Sequence, residues 1–316
     1  MTSAPTLGDL PTAPAGKTGW PWTEVGEPLP ETMPDGRPWP RISIVTPSYN
    51  QAPFLEATVR SVLLQGYPNL EYIVVDGGSE DGSPEILRRY DEWLASWVSE
   101  PDEGQSDAVN KGFARATGEI FGWLNSDDVY EPGALREVAR YFATAPGCTL
   151  LYGRGSYIDE RGRKTGSCDW IRPFDRRLFL TSNFILQPAA FWRAELWKEA
   201  GELDAECHWA MDWEWLLRAT AIARPHFVPV ELASWRVGSA IKTVSGGERR
   251  RAEIAAVSRR YGGIWQPTYL VYLLDRAAWR AAERLGEGRA LRLLQRTAAP
   301  LRWLLKDKIW NQRYQA

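Results

Sequence analysis

The chain has 316 residues, of which 44% are hydrophobic, and its formal net charge at pH 7 is −2. This length allows one large core or two moderate ones, and the charge argues against a basic surface that binds nucleic acid. Three widely spaced cysteines and two histidines form neither a disulfide framework nor a zinc-ligand pattern. The sequence shows no signal-peptide pattern and no apolar run of about 18 residues, so we predict a cytoplasmic protein without a membrane-spanning helix.

Residues 1–40 are rich in proline, which predicts an extended N-terminal arm because proline neither forms strand ladders nor continues a helix. Three tryptophans in this arm, Trp20, Trp22 and Trp39, are candidates for fixing it to the body of the protein.

Strand and helix patterns alternate from residue 41 onward. Short apolar runs predict strands at residues 42–46, 72–75, 97–98 and 120–124. Amphipathic patterns predict helices that begin near Pro53, at Ser83 as N-cap, at Asp107 and after Pro132. This alternation is typical of an α/β fold with a mostly parallel sheet flanked by helices.

Polar residues follow three of these strands, at 46–50, 76–83 and 125–128. Ligands of such sheets bind beyond the carboxyl ends of the strands, where these loops would converge. Asp127 and Asp128 repel each other, and a divalent cation such as Mg²⁺ or Mn²⁺ would offset that repulsion. The alternative is an acidic helix start with an aspartate as N-cap. Convergence of the loops favours the cation. The sequence contains no glycine-rich phosphate loop, so a nucleotide would have to be held in another way. Its base would stack on Tyr49 and form a hydrogen bond with Asp76.

Four stretches in the order 43–50, 71–83, 107–118 and 125–128 resemble the inverting family-2 glycosyltransferases, which have the nucleotide-diphospho-sugar transferase (GT-A) fold. The resemblance implies that the loop after the first strand and Asp76 hold the nucleoside, commonly uridine. It also implies that residues 125–128 occupy the place of the family's metal-binding Asp-x-Asp motif. Asn125 stands first in that motif here, and we favour Asp127 and Asp128 as ligands of Mn²⁺ or Mg²⁺.

The resulting candidates for nucleotide binding are Thr46, Pro47, Tyr49, Asn50, Asp76, Ser79, Lys111, Asn125 and Asp127. Lys111 would orient or neutralise the diphosphate, although a surface lysine paired along its helix explains it equally well.

Residues 146–262 are expected to form the acceptor-binding half, after a nucleotide-sugar half at 41–145. Within it, 187–192 is predicted to be a strand near the site. Asp212 opens a predicted helix, where a carboxylate also suits the helix dipole. Inversion needs one carboxylate to deprotonate the acceptor hydroxyl. The resemblance implies that this segment supplies that base, and Asp212 is favoured over Glu214.

A late segment, 234–243, resembles a loop that often carries Arg-x-His before Ser-Lys-Thr, with Gly238 where histidine is expected. Arg236 and Lys242 are therefore candidates for binding the diphosphate. They are equally well explained as ordinary surface cations.

Residues 263–316 form a predicted basic amphipathic helical extension with tryptophans. Such helices suit an anionic membrane surface, at the inner face of the membrane for a cytoplasmic protein. The alternative is a helical appendage that packs on the core or on a second subunit.

The sequence thus predicts an enzyme that moves a sugar from a nucleotide diphosphate donor, with uridine favoured, to a hydroxyl of a polysaccharide or lipid-linked glycan. Two alternatives remain at this stage. A non-catalytic nucleotide-sugar-binding module would be expected to lack the carboxylates that are present here, and a sugar nucleotidyltransferase would carry a glycine-rich, arginine-bearing loop after the first strand.

Overall fold

Residues 4–27, 29–238 and 246–285 are described by the structure, a computed structural model, with 278–285 described as backbone only. The chain divides into two compact units. The first comprises Met1–Phe174 and Ile185–Gly238, and the second Asp175–Phe184 and Ser239–Ala316. The domain boundaries expected at 40, 145 and 262 stay predictions.

The first unit is built on a sheet that contains every strand of the described residues. Its strands are β1 Ile42–Ser48, β2 Leu70–Asp76, β3 Ser96–Ser99, β4 Ile120–Trp123, β5 Val129–Tyr130, β6 Leu150–Ile158, β7 Lys164–Ser167, β8 Ala190–Arg193 and β9 His226–Arg236. They are arranged in the order β3-β2-β1-β4-β8-β6-β9-β5, with β7 paired to β6. The predicted α/β fold class is confirmed.

The direction of pairing changes half-way across the sheet. β3, β2, β1 and β4 are parallel neighbours, whereas β8 runs antiparallel to both β4 and β6. β6 and β9 are parallel to each other, so β4, β6 and β9 all end at one edge. The predicted parallel sheet therefore describes the N-terminal strands, and antiparallel strands complete the sheet. The carboxyl edge gathers the ends of β1, β2, β4, β6 and β9.

Helices connect the strands of the first unit. They are α1 Ala52–Leu63, α2 Ser83–Tyr90, α3 Gln105–Arg115, α4 Ala134–Thr144, α6 Ala194–Ala200 and α7 Met211–Ile222. Strands β1 and β4 are buried along their whole length, as expected of strands with helices on both faces. Aromatic rings fill the space around β8: Trp192 lies 4.5 Å from Trp215 and 5.6 Å from Phe113 between ring centroids.

Two local predictions were wrong. The N-cap of α2 is Gly82 with a left-handed φ of 92°, and Ser83 lies inside the helix, where its hydroxyl donates to Asp81. Asp81 takes over the organising role because its carboxylate also accepts the backbone N–H of Ser83. The segment 187–192 begins as a 3-10 helix, Gln187–Ala189, and only then becomes β8. Pro188 explains this start because it cannot donate a ladder hydrogen bond.

The proline-rich segment packs on α1, and the predicted fixing by tryptophan is confirmed. Trp22 and Trp39 are buried, and the Trp20 indole N–H donates to Tyr130 O at 2.7 Å. Arg60 of α1 is 1% exposed, and its guanidinium donates to the carbonyl oxygens of this segment. Those acceptors are Pro11 O at 2.8 Å, Pro21 O at 3.0 Å and Trp22 O at 3.3 Å.

The second unit contains α5 Arg176–Phe179, α8 Gly247–Gly262 and α9 Pro267–Leu285. Its two long helices are tied to the segment after α5 by side-chain hydroxyls. Ser258 Oγ donates to Leu180 O at 3.2 Å, and Thr268 Oγ1 donates to Thr181 O at 2.5 Å. No helix in the described part of the chain combines the length and apolar character needed to cross a membrane.

Candidate active site

Asp76 ends β2 beside the end of β1 and is completely buried. Its Oδ1 accepts the Ser79 hydroxyl at 2.6 Å, and its Oδ2 accepts the Ser79 N–H at 2.9 Å and the Ser99 hydroxyl at 2.7 Å. Asp76 therefore holds the loop that follows β2 against β3, and Ser99 is a contributor that the sequence did not suggest.

The loop after β1 is joined to the same structure through Asn50. Asn50 has a φ of 51°, a left-handed conformation that asparagine tolerates better than most residues. Its N–H donates to Ser79 Oγ at 2.7 Å, and its Oδ1 accepts the Glu80 N–H at 3.1 Å. The two loops predicted to bind the nucleoside therefore lie side by side. That they bind a nucleoside stays a prediction.

The remaining candidates of this loop differ in accessibility. Thr46 and Pro47 are buried, and the Thr46 hydroxyl lies 3.1 Å from the Tyr72 hydroxyl below the edge. Tyr49 is 63% exposed, so its ring is free to receive a planar group. Gly77 sits so close to Asp102 that a Cβ there would be 2.8 Å from Asp102 Oδ2, which leaves room for no larger residue without movement of that side chain.

The acidic segment 125–128 forms a turn between β4 and β5. A hydrogen bond closes the turn, in which the Asp128 N–H donates to Asn125 O at 3.1 Å. α1 supports this turn from below, because the Thr58 hydroxyl lies 2.9 Å from Ser126 O and 2.7 Å from Asp128 O. The backbone that carries both carboxylates is therefore fixed by the protein itself.

The two carboxylates of this turn are poorly compensated. Asp128 is 1% exposed and Asp127 is half-buried, and neither forms an ion pair with a lysine or arginine among the described residues. Burial raises the pKa of Asp127. Burial also raises the pKa of Asp128, to well above its ordinary value, and the neighbouring Asp127 charge adds to this effect. A cation bound next to the two carboxylates would lower the pKa of both.

A divalent cation fits this pair. No cluster of three or more His, Cys, Asp or Glu side chains suited to a metal occurs within the described ranges. The protein would offer the carboxylates of Asp127 and Asp128, and Mg²⁺-like sites commonly take one or two carboxylates and complete their shell with substrate phosphates and water.

Asn125 is held by hydrogen bonds that determine its orientation. Its Oδ1 accepts the Trp123 indole N–H at 2.8 Å and the Gln105 amide at 2.7 Å. Its Nδ2 donates to Gln187 Oε1 at 3.0 Å, and the Gln187 amide donates in turn to Trp123 O at 2.5 Å. An indole N–H only donates and a carbonyl only accepts, so the direction of each amide follows. The side-chain oxygen of Asn125 is thus occupied by the protein, while its Nδ2 also points to Asp128 Oδ2 at 3.5 Å.

Arg236, expected to bind the diphosphate or to be a surface cation, is buried beside the acidic turn. Its Nε donates to Asp127 O at 2.7 Å, its Nη1 to Asp159 O at 2.6 Å, and its backbone N–H to Asp128 Oδ1 at 2.9 Å. The guanidinium also lies over the Phe54 ring, 4.8 Å from the centroid. This geometry makes Arg236 a support of the turn, and the surface alternative is wrong. A direct contact of Arg236 with the diphosphate stays a prediction.

The other two candidate cations have separate outcomes. Lys111 Nζ is 2.8 Å from Asp107 Oδ2, and the hydrogen bond with Asp107 raises the pKa of Lys111. The paired helix-surface alternative describes this contact, so a role toward phosphate stays a prediction. Lys242 lies outside the described residues.

Asp212 stands in the first turn of α7 and is half-buried. The start of α7 rests on the start of α3, where the Ser106 hydroxyl lies 3.1 Å from both Met211 Sδ and Cys207 O. The residue before Ser106 is Gln105, which bonds to Asn125 of the acidic turn. α3 therefore connects the segment that carries Asp212 with the acidic turn.

Glu214, the alternative base, is 2% exposed and paired with Arg218, whose Nη2 is 2.8 Å from Glu214 Oε2. Arg218 also donates to the carbonyl oxygens of Ala200 and Glu202. A buried carboxylate committed to such a pair has a structural role, and the assignment of Asp212 as the base stays a prediction.

Residues 43–193 match the family model described as glycosyl transferase family 2. An uncharacterised glycosyltransferase of Mycobacterium tuberculosis is 30% identical over 231 residues, which are 71% of this chain and 84% of that protein. The chain belongs to glycosyl transferase family 2. It is a glycosyltransferase, as the sequence predicted.

Another relative of this family-2 glycosyltransferase has a more specific name but matches a smaller part of the chain. A Bacillus subtilis protein named for teichuronic acid biosynthesis, TuaG, is 40% identical over 130 residues, 38% of this chain and 52% of that protein. Among solved structures, Staphylococcus aureus TarS bound to UDP-GlcNAc matches with a TM-score of 0.55 at 18% identity, over 70% of this chain and 67% of that one.

The mannosyltransferase PcManGT from Pyrobaculum calidifontis, solved with GDP-Man and Mn²⁺, matches with a TM-score of 0.57 at 22% identity. The match covers 90% of this chain and 88% of that one. These two structures confirm the predicted GT-A fold.

Several residues that shape the site of this glycosyltransferase were missed by sequence reasoning. They are Thr58, Ser99, Asp102, Gln105 and Gln187. Gln187 lay in a segment predicted to be near the site, and Gln105 lies two residues before the stretch 107–118. Ser99 and Thr58 carried no signal, because their role depends on which strands and helices become neighbours.

Proposed function

We propose that this chain is an inverting, metal-assisted glycosyltransferase that moves a sugar from a nucleoside diphosphate donor, with uridine as the base, to a hydroxyl of a surface polysaccharide or lipid-linked glycan. The observation that carries the proposal is the poorly compensated pair of half-buried Asp127 and buried Asp128, at the same edge of the sheet as the Asp76 loop. A pair of this kind is costly to the protein alone, and it suits a site for a cation and diphosphate.

The base of the donor nucleotide would lie against the exposed Tyr49 ring, above the loops that Asn50, Ser79 and Asp76 hold together. Because Asp76 already accepts three hydrogen bonds, its main part in binding is to keep this surface in shape. TarS and PcManGT, bound to UDP-GlcNAc and GDP-Man, agree with a nucleotide-sugar donor and leave the base to be tested.

Asp127 and Asp128 would hold a Mn²⁺ or Mg²⁺ ion, with Asn125 and Arg236 fixing the turn around them. When bound, such an ion offsets the negative charge that grows on the leaving diphosphate. The presence of Mn²⁺ in the PcManGT structure supports this assignment.

Asp212 would act as the general base. It would take the proton from the acceptor hydroxyl as the oxygen attacks the anomeric carbon on the side opposite the diphosphate, which inverts that centre. The half-buried position of Asp212 and the burial of Glu214 in an ion pair support this choice. The acceptor class rests on the similarity to TuaG, and a polysaccharide or a lipid-linked glycan fits equally.

Donor and metal binding can be measured by titration calorimetry with UDP and with GDP, each with and without Mn²⁺. We expect UDP to bind, more tightly with Mn²⁺, and GDP to bind more weakly. Tighter binding of GDP would overturn the choice of base, and binding that ignores Mn²⁺ would overturn the metal.

The catalytic base is tested by Asp212→Asn. We expect transfer to fall by at least about a hundredfold, the usual contribution of a general base, with UDP affinity unchanged. The matched control is Glu195→Gln, which removes an exposed carboxylate from the first turn of α6 and so repeats the loss of a favourable helix-dipole contact. Equal losses in the two variants would reduce Asp212 to a helix-capping role.

A further inference from the structure

The turn between α8 and α9 presents two large apolar side chains to solvent. α8 ends at Gly262, and the Gln266 N–H donates to Gly263 O at 3.3 Å, which places Ile264 and Trp265 at the centre of a turn. Ile264 is 52% exposed and Trp265 is 79% exposed. A single exposed apolar residue is ordinary, but two at the tip of a helical hairpin suggest a surface that is covered in use.

α9 continues this apolar surface along one of its faces. Leu270, Leu273, Leu274 and Ala277 follow the i, i+3, i+4, i+7 spacing that places side chains on one side of a helix. Leu273 and Leu274 are 39% and 45% exposed, Ala277 is exposed and Leu270 is half-buried. We call Ile264, Trp265 and these four residues the apolar stripe.

The opposite face of α9 is the one that packs within the second unit. Thr268 and Val271 are buried, and Tyr272 and Asp275 are half-buried. Thr268 Oγ1 donates to Thr181 O, which fixes the rotation of the helix about its axis. The apolar stripe therefore remains outside because of where α9 is anchored.

Cations accompany the stripe. Residues 246–316 contain fifteen lysines and arginines against six aspartates and glutamates, although the whole chain has a net charge of −2. The remainder of the chain is therefore acidic. Arg276 is exposed and lies one turn after Leu273, at the border of the stripe. The positive charge is thus concentrated in the same part of the chain as the exposed apolar residues.

We propose that the apolar stripe docks on the surface of an anionic lipid bilayer, with Trp265 and Ile264 entering the interface and Arg276 at the border of the stripe meeting lipid phosphates. Tryptophan suits this position because its ring is apolar and its N–H can still reach a polar group. Basic residues next to a membrane are attracted to its anionic lipids. This inference does not depend on the donor, the metal or the base.

A second copy of the chain fits this surface less well. A stable interface buries about 800 Å² on each partner, considerably more than six side chains on one turn and one helix provide. Two copies meeting through the stripe would also bring two regions of positive charge together, whereas an anionic bilayer attracts them.

The test is flotation of the full-length chain with vesicles of equal parts phosphatidylcholine and phosphatidylglycerol, compared with phosphatidylcholine alone. We expect binding to the anionic vesicles that weakens strongly toward about 1 M salt, where charges are screened within about 3 Å. Leu273→Ser with Leu274→Ser should lower the partition at least about tenfold, and Trp265→Ser should lower it as well.

The matched control is Ile222→Ser with Val230→Ser, two apolar residues of the first unit with similar exposure, 42% and 37%. We expect this variant to float like the original chain. Failure of the original chain to bind anionic vesicles, or equal losses in the stripe and control variants, would overturn the proposal.

A second measurement identifies the occupant in the absence of lipid. Leu274→Cys can be labelled with an environment-sensitive dye, since Cys148, Cys168 and Cys207 are buried. We expect the dye to report water until anionic vesicles are added, and sedimentation without lipid to show no stripe-dependent association. A dye that is shielded without vesicles would overturn the proposal, because another part of the chain or a second copy would then cover the stripe.

Discussion

Buried carboxylates lie at both edges of the parallel half of the sheet, and the two edges balance them differently. At the amino edge, Glu71 near the start of β2 is 5% exposed and accepts four hydrogen bonds. They come from Ser43 Oγ at 2.5 Å, Thr117 N at 2.7 Å, Thr117 Oγ1 at 2.8 Å and Arg41 Nη2 at 2.8 Å. Burial raises the pKa of Glu71, but these hydrogen bonds and the Arg41 charge more than offset it, so the pKa lies below its ordinary value.

At the carboxyl edge, Asp127 and Asp128 receive much less. Asp128 accepts the Arg236 N–H and a long contact from Asn125, and burial keeps the pKa of both carboxyls above the ordinary value. The same chemical group thus stabilises the fold at one edge and is strained at the other. The difference teaches that the acidic turn is the less compensated of the two, which agrees with the proposal that a cation would bind there.

The largest expected effect comes from Asp127→Asn. A cation that stabilises a developing charge contributes several kcal/mol, so transfer should fall by about a thousandfold or more. The free energy of unfolding without metal should not decrease, because the substitution removes a repelling charge from the turn. Initial rates with saturating Mn²⁺ and urea unfolding in a chelator measure the two quantities.

The control for this variant is Asp35→Asn, which removes a carboxylate that is paired with Arg37 in an exposed position. Exposed pairs contribute little, so both activity and stability should stay nearly unchanged. A large stability loss in Asp127→Asn would contradict the strained state of the acidic turn.

The second expected effect has the opposite pattern. Glu71→Gln replaces an acceptor of four hydrogen bonds with an amide that must turn its NH₂ toward a donor. We expect a loss of about 3 kcal/mol in the free energy of unfolding, since breaking a buried, charged network leaves groups unpaired. Transfer measured well below the melting temperature should be unchanged, because Glu71 is at the edge that faces away from the acidic turn. A selective loss of activity would contradict the division between edges.

The same contrast explains what could be predicted from the sequence. The strands β1, β2 and β4 were predictable because short apolar runs identify buried strands, and the loops at their carboxyl ends followed from the fold. Asp127 and Asp128 stood out because adjacent acids after a buried strand are unusual without a partner. Both signals lie within a few consecutive residues, so they can be recognised in a single sequence.

Contacts between distant parts of the chain were not predictable. Nothing in the sequence indicated that Arg236, a candidate phosphate ligand or surface cation, is buried beside a turn more than a hundred residues away in sequence. Ser99 and Gln187 reach the site only because β3 joins β2 and β8 joins β4. The antiparallel strands of the second half also gave weak patterns, because β8 is short and begins after a proline.

A smaller effect is expected from Asn125→Asp, which makes the carboxyl edge still more acidic. The new carboxylate would face Gln187 Oε1 and Asp128 Oδ2, where the amide now donates. We expect a loss of about 1–3 kcal/mol in metal-free stability, the cost of an unsatisfied buried polar group. The affinity for Mn²⁺ should rise, because charge near the ion increases.

Chelator and Mn²⁺ titrations of unfolding separate these two effects of Asn125→Asp. Gln187→Met is the matched control, since it removes the facing oxygen without adding charge and should leave Mn²⁺ affinity nearly unchanged. A rise in metal-free stability in Asn125→Asp would show that the turn tolerates further charge, against the contrast drawn between the edges.

The smallest expected effect is the pH dependence of the amino edge. Because the pKa of Glu71 is lowered in the folded chain, its stabilisation is fully present above the unfolded value of about 4.3 and is lost as the pH falls through the folded value. The difference in unfolding free energy between the original chain and Glu71→Gln should therefore shrink on acidification below about pH 4.3. Urea unfolding over that range measures this difference, and taking the difference cancels the contributions of the titratable groups that both proteins share.

Glu85→Gln is the control: hydrogen bonding to Arg88 lowers the pKa of Glu85 as well, but the pair is exposed and screened by water. A pH-independent difference for Glu71 would mean that its network stabilises the fold through shape alone, and the two edges would then differ in packing rather than in charge.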